Sequence, residues 1–185
     1  MKPLYVAFLL LVITVFSACS GRYPAGSNYT SAPQGHYPVI SARNIIALQG
    51  DTIVSVKANN IPAFIARADQ NVNKLLAWAG ISKRKFAEYN DTDLLFVDDL
   101  LTGAVYYLKP KKGKGIADYH WVQKGQSMWD ISQMYGVKLD RLLRFNRMNL
   151  VDEPEAGRKI YLRKKRPAGL FEVDKSKIRN KNSEP

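Results

Sequence analysis

Residues 119–163 read YHWVQKGQSMWDISQMYGVKLDRLLRFNRMNLVDEPEAGRKIYLR, and this stretch decides the fold. Residues 119–123 read as a strand. Ser127 can cap a helix that begins at Met128, and Asp130, at the third helical position, completes a Ser-x-x-Asp variant of the capping box. Met128, Ile131, Ser132 and Tyr135 fall on one helical face, and Gly136 stops the helix. Val137 and Leu139 lead into a second helix whose apolar side is Leu142, Leu143 and Phe145, with Asn146 at its end. Gly157 then turns the chain into residues 159–162, a strand able to pair with the first. The expectation is a strand-helix-helix-strand unit.

Upstream there is a poorer copy. Sliding residues 65–90 onto 121–146 pairs Gln70 with Gln126, Leu75 with Ile131, Gly80 with Gly136, Phe86 with Leu142, Tyr89 with Phe145 and Asn90 with Asn146. After the second helix the later copy is two residues shorter, and Gly103, Tyr107 and Leu108 meet Gly157, Tyr161 and Leu162. The first copy should have a strand at 63–66, a helix with Val72, Leu75, Leu76 and Ala79 inward, a second helix capped by Ser82, and a closing strand at 105–108. The basic run KPKKGKG at 109–115 between them reads as a solvated linker. Before the copies, residues 44–57 carry two β-branched runs around Gln49-Gly50-Asp51-Thr52, a hairpin signal. The fold class expected is α+β: two small β-α-α-β modules, at 62–110 and 119–165, preceded by a β-hairpin at 40–61 and joined by a linker at 111–118.

The opening KGQSMWDIS resembles the Lys-Gly-Asp-Thr-Leu-x-x-Ile-Ala start of LysM domains, with Gln126, Ser127 and Met128 in place of Asp, Thr and Leu. The first unit departs further, with Ala68-Asp69-Gln70-Asn71-Val72 at the same place and no glycine. The pair is similar to the C-terminal repeats of certain cell-wall glucosaminidases, without a preceding catalytic domain. Gly50-Asp51-Thr52 mimics the family's opening, but Ile53-Val54-Ser55-Val56 is β-branched and unsuited to its first helix. The resemblance implies binding of N-acetylglucosamine-containing glycans, peptidoglycan or chitin, in a groove between the first strand-helix loop and the loop after the second helix. Carried over by position, one wall is Gly125, Gln126, Ser127 and Met128, and the other is Met148, Asn149, Leu150 and Val151. Gln126 would hydrogen-bond the sugar, and Met128 and Leu150 would either cover an acetyl methyl or serve as core. A weaker site would use Asp69, Gln70, Asn71 and Val72. Trp129 and Trp121 are further candidates for sugar stacking.

At the N-terminus, Lys2 precedes the apolar run LYVAFLLLVITVF at 4–16, the length of a secretory h-region and too short to span a membrane comfortably. The following Phe16-Ser17-Ala18-Cys19 resembles a bacterial lipobox, which implies a signal peptide at 1–18, acylation of Cys19, and, with Ser20 next, the periplasmic face of an outer membrane. Residues 19–39, rich in Gly, Pro and Ser, read as a tether with a stretched limit of roughly 65 Å. The 28 Lys plus Arg against 16 Asp plus Glu give a formal charge of +12, which favours a polyanionic neighbour. Export argues against nucleic acid. One cysteine leaves no disulfide or zinc framework.

No catalytic constellation stands out. The only histidines are His36, in the tether, and His120, on a strand, and neither has a nucleophile beside it. Asp98-Asp99 and Asp152, Glu153 and Glu155 lie in loops before closing strands, where solvated acids are ordinary. The expectation is a non-enzymatic binder with no cofactor and no metal, whose partners are peptidoglycan strands and, through Cys19, a membrane. An envelope protein held by degenerate units is the rival. The basic tail at 166–185 carries an apolar patch, Leu170-Phe171, that could dock on the second unit.

Overall fold

The computed structural model describes residues 40–48 and 50–178. The signal segment, Cys19 and the tether fall outside these residues, as does the end of the tail. Strands β1 (Ile40–Leu48), β2 (Asp51–Ala58), β3 (Ile61–Ile65) and β4 (Val105–Tyr107) form one antiparallel sheet in the order β1-β2-β3-β4. Helices α1 (Val72–Ala79) and α2 (Lys83–Asn90) connect β3 to β4. The second unit repeats the plan with β5 (Tyr119–Trp121), α3 (Met128–Tyr135), α4 (Leu139–Asn146) and β6 (Lys159–Tyr161), and β5 pairs antiparallel with β6.

The expected hairpin is present, but it is not separate from the first module. Besides its pairing with β1, β2 pairs with β3 from Val54↔Ile65 to Ala58↔Ile61, so the boundary at residue 61 divides one sheet. The strands share their cores as well: Ile53 packs toward the helices with Phe64, Leu75 and Phe86, while Val54, Val56 and Ala58 pack on the opposite face with Ala63 and Tyr107.

One buried clasp recurs at the spacing that the repeat predicts. Asn90 donates to Phe86 O and Tyr107 O at 2.9 and 3.0 Å, and its Oδ1 accepts from Tyr107 N at 2.7 Å. Asn146 does the same with Leu142 O, Tyr161 O and Tyr161 N, at 2.8, 2.9 and 2.8 Å. Each asparagine therefore ties the end of a helix to its closing strand, and both are fully buried. The helix caps follow the sequence as well. Ser82 accepts from Lys85 N, and Ser127 and Asp130 form the reciprocal box.

The basic joint departs from expectation. Lys111 is buried, not solvated. Its amine reaches Asp91 Oδ2 at 2.7 Å, Ser132 Oγ at 2.6 Å and Gln133 Oε1 at 2.8 Å, so the three donors of the ammonium meet three acceptors. The next residue bridges to the second unit: Lys112 N donates to Gly136 O at 2.7 Å, and Lys138 N donates to Lys112 O at 2.9 Å. Asp91 also accepts from Leu139 N at 2.9 Å, which caps α4, a helix with no side-chain cap of its own. Tyr107 Oη donates to Gln133 O at 2.7 Å, and Asn59 donates to Met134 O at 2.9 Å. The two units are therefore joined through a buried polar seam.

The start of the tail docks on the second unit. Lys159 N donates to Glu172 O at 2.9 Å, Asp174 N donates to Gly157 O at 2.8 Å, and Arg158 forms an antiparallel bridge with Val173. Gly157 sits at φ +83°, where a Cβ would come within 2.9 Å of Asp174 O, so a larger residue would push the tail away.

Candidate functional site

The two loops expected to form the groove start from one core. Met128, the first residue of α3, and Met148, just past α4, are both buried in the cluster that holds Ile131, Leu142 and Ile160. Of the two readings open for Met128, groove or core, the core one describes where it stands. Between these anchors the loops project residues of different character.

On the first wall, Gln126 turns inward, contrary to the expectation that its amide faces a sugar. Its Oε1 accepts from Gln123 N at 2.7 Å and meets His120 Nε2 at 2.7 Å. An amide oxygen only accepts, so His120 Nε2 carries the proton. Nδ1 lies 3.1 Å from Tyr135 Oη. Gln126 thus shapes the loop. Ser127 is half-buried and engaged with Asp130 through its backbone N–H and its hydroxyl. Gly125 is exposed at φ +78°, with open space where a side chain would stand, so the backbone at this corner can be approached closely.

On the second wall Asn149 N donates to Asp152 Oδ2 at 2.7 Å, and Asp152 N donates back to Asn149 O at 3.2 Å. This tight turn lifts Leu150 and Val151 into solvent, 53% and 79% exposed. Two adjacent aliphatic side chains held out by a tight turn, with an open glycine corner on the other loop that starts from the same core, suit the apolar faces and acetyl methyls of an amino sugar.

The first unit repeats the outer wall and alters the inner one. Leu94 and Leu95, which align with Leu150 and Val151, are 50% and 82% exposed, and Asp93 caps their turn by accepting from Leu95 N at 3.0 Å. Applying the repeat's own offset to Leu150 finds this pair, which the sequence reading did not name. The inner loop, however, is occupied by the hairpin. Asp51 Oδ2 accepts from Gln70 Nε2 and from Asn71 N, both at 3.2 Å. Asn71 is the N-cap of α1, Val72 is core, and Asp69 pairs with Arg67 at 3.0 Å.

Neither tryptophan offers an open ring. Trp129 packs against both unit cores, donates to Asn90 O at 2.8 Å and stands 6.2 Å from the Tyr106 ring. Trp121 lies on the outer face of β5 against Tyr119, and the Lys159 amine stands over both rings at 5.6 and 4.5 Å. Cys19 lies outside the described residues, and among those residues no group of three or more His, Cys, Asp or Glu side chains could hold a metal ion.

Residues 120–163 match the family model described as LysM domain. This segment therefore carries a LysM domain, a binding module rather than a catalytic one, of a kind that suggests peptidoglycan or other N-acetylglucosamine-containing glycan as ligand. No curated protein matches the chain. Among solved structures, that of the Bacillus cereus spore cortex-lytic enzyme SleL is similar at 23% identity over 57% of this chain and 23% of that one, with a TM-score of 0.25. The chain thus spans about a quarter of that protein's length, and a likeness this slight carries no argument about activity.

Proposed function

We propose that this chain is a non-catalytic peptidoglycan-binding lipoprotein of the cell envelope, in which the second unit holds the glycan. The observation that carries the reading is the exposed Leu150–Val151 turn and the open Gly125 corner on two loops that start from one core, within a segment that matches the LysM family. The glycan would lie between residues 125–128 and 148–151. The backbone at Gly125 and the second lone pair of the carbonyl of Asn149, whose N–H Asp152 already holds, would meet acetamido and hydroxyl groups, Leu150 and Val151 would cover the methyl, and Gln126, Met128 and Met148 would hold the walls apart. The signal-like N-terminus and Cys19 would tether this unit to a membrane, the periplasmic face of an outer membrane in a two-membrane cell. A lipid anchor raises the effective concentration of a weak glycan site near its polymer. Co-sedimentation of the purified, unlipidated chain with insoluble peptidoglycan tests the binding; a folded chain that stays in the supernatant contradicts it. Release from membranes on Cys19→Ala tests the anchor.

A second reading is favoured by one observation. Asp51 holds the first unit's loop as a ligand-facing group would, which argues that this unit has exchanged glycan for an internal contact. It would then serve as a support, or as the recruiting surface for an envelope protein. Retention of such a partner by a chain that binds no glycan would favour the scaffold over the glycan reading.

A further inference from the structure

The docked tail brings an exposed aromatic ring against two arginines. Arg158 stands with its guanidinium carbon 4.6 Å from the centre of the Phe171 ring, and that of Arg166 lies 5.7 Å from the same centre. Phe171 and the neighbouring Leu170 are exposed. Each guanidinium has a buried Nε without a hydrogen-bond partner. Arg166 donates through Nη1 to Leu170 O, while Arg158 makes no side-chain hydrogen bond or ion pair among the described residues. Arg147 adds a third cation, its Nε donating to Arg166 O at 3.3 Å. Asp152 and Glu155 act on Arg158 through space without an ion pair, and Glu172, on the next tail residue, is held by Lys159 at 2.7 Å and by Tyr161.

Like charges held together with donors unfilled are costly unless an anion completes them. Burial and then the charge of Arg166 lower the pKa of Arg158, in keeping with a cation that lacks a counter-ion. The position is as informative as the charge. Arg158 follows Gly157, which is tied to Val122 by a hydrogen bond of 2.8 Å, and the tail's Lys177 O accepts from Gln123 at 3.1 Å, two residues before Gly125. The cluster therefore belongs to the same end of the sheet as the proposed groove.

We infer that Arg158, Arg166 and Phe171 form an anion subsite that takes a carboxylate from the peptide stems of the polymer whose glycan lies in the neighbouring groove. A planar guanidinium fork fits a carboxylate through two parallel hydrogen bonds, and Phe171 with Leu170 offers an apolar surface to the adjoining part of the stem. The inference rests on the peptidoglycan reading above but adds to Arg158, which lies within the matched segment, two residues of the tail beyond it, Arg166 and Phe171. It makes the tail a determinant of which wall material is held: stem-bearing strands over stripped ones.

The test compares sedimentation of the full unlipidated chain with intact peptidoglycan and with the same material stripped of its stems by an amidase. The subsite predicts roughly tenfold or more tighter binding to the intact polymer, the worth of one charge-assisted contact. Arg158→Gln should abolish that preference while leaving binding to stripped glycan unchanged, and Arg158→Lys, which keeps charge but not the fork, should fall between. Because Arg158 packs on Phe171, Arg166→Gln provides a second variant, and melting curves show that each is folded. Equal binding of the wild-type chain to both materials overturns the subsite. So does an Arg158→Gln effect of the same size on both materials, or Arg158-dependent binding to phosphatidylglycerol vesicles as tight as to intact wall, which would assign the cluster to lipid phosphate. If the chain binds neither wall preparation, soluble stem peptide decides the matter by NMR. Movement of the Arg158 Nε–H resonance then supports the subsite while the glycan reading fails, and a still resonance overturns the subsite too.

Discussion

The two units share a frame and differ in what is attached to it. In both, an asparagine at the end of the second helix ties that helix to a tyrosine on the closing strand through two buried hydrogen bonds, and a third runs back to its own helix. The tyrosine hydroxyls then diverge: Tyr107 reaches into the second unit at Gln133 O, whereas Tyr161 reaches the tail at Glu172, 3.1 Å away. The inner loops diverge too. Asp51 of the hairpin fills the first, and an exposed glycine opens the second. Buried polar bonds preserve the frame because each broken partner would be left unsatisfied in the interior, while surface loops carry no such penalty and are free to change role.

If the frames are equivalent, removing either clasp should cost the same. Asn90→Ala and Asn146→Ala should each lose about 4 kcal/mol, since the three shared clasp bonds go and two carbonyls and one N–H are left buried, with a small further loss at Asn90, whose Oδ1 also accepts from Gln133 Nε2 at 3.3 Å. Urea unfolding measures this, and a large loss at one position alone would show that only one unit depends on its clasp.

The seam is the next largest effect. Lys111→Met should cost about 3 kcal/mol, because it leaves Asp91 without its buried partner. The same residue sets a pH dependence. Burial, only partly offset by Asp91, lowers the Lys111 pKa from 10.5 to about 8, so at neutral pH the amine keeps its proton. Between pH 8 and 10 the unfolded chain binds more protons at this residue than the folded one, so its contribution makes stability rise with pH. Tyr107, whose pKa burial raises, opposes that trend only above about pH 10, where an unfolded tyrosine ionises. Melting temperature followed from pH 8 to 10 should rise more in the wild-type chain than in Lys111→Met.

Smaller effects separate the two loops. Leu150→Ser should weaken glycan binding roughly tenfold with little change in melting temperature, whereas Leu94→Ser should leave binding unchanged. Equal losses would place ligand in both units. Gly125→Ala should cost about 1 kcal/mol, since a side chain is strained at φ +78° although space is open there.

The frame could be read from the sequence because its signals are local or recur at a fixed offset. Ser127 and Asp130 lie three residues apart, and the pairing of Asn90 and Tyr107 with Asn146 and Tyr161 survives the two-residue deletion between them. The seam could not be read in that way. Lys111 sits in a run that composition marks as solvated, and its burial depends on Asp91, Ser132 and Gln133, which become its neighbours only after both units have folded. Within the candidate site, the backbone corner at Gly125 and the exposed Leu150 were visible as residue types at family positions. The inward turn of Gln126 was not, because it depends on how the loop folds back to bring the amide onto His120 of β5 and onto Gln123 N. Trp129 looked available from helical spacing alone, but the facing unit covers it.

Titration of the unlipidated chain with N-acetylglucosamine oligomers, followed by residue-resolved NMR, bears most directly on the claim that the second unit alone holds glycan. Saturable shifts at residues 125–128 and 148–151, with residues 68–72 and 94–95 unmoved, are the expected result. Shifts confined to the first unit, or none in a folded chain, would contradict it.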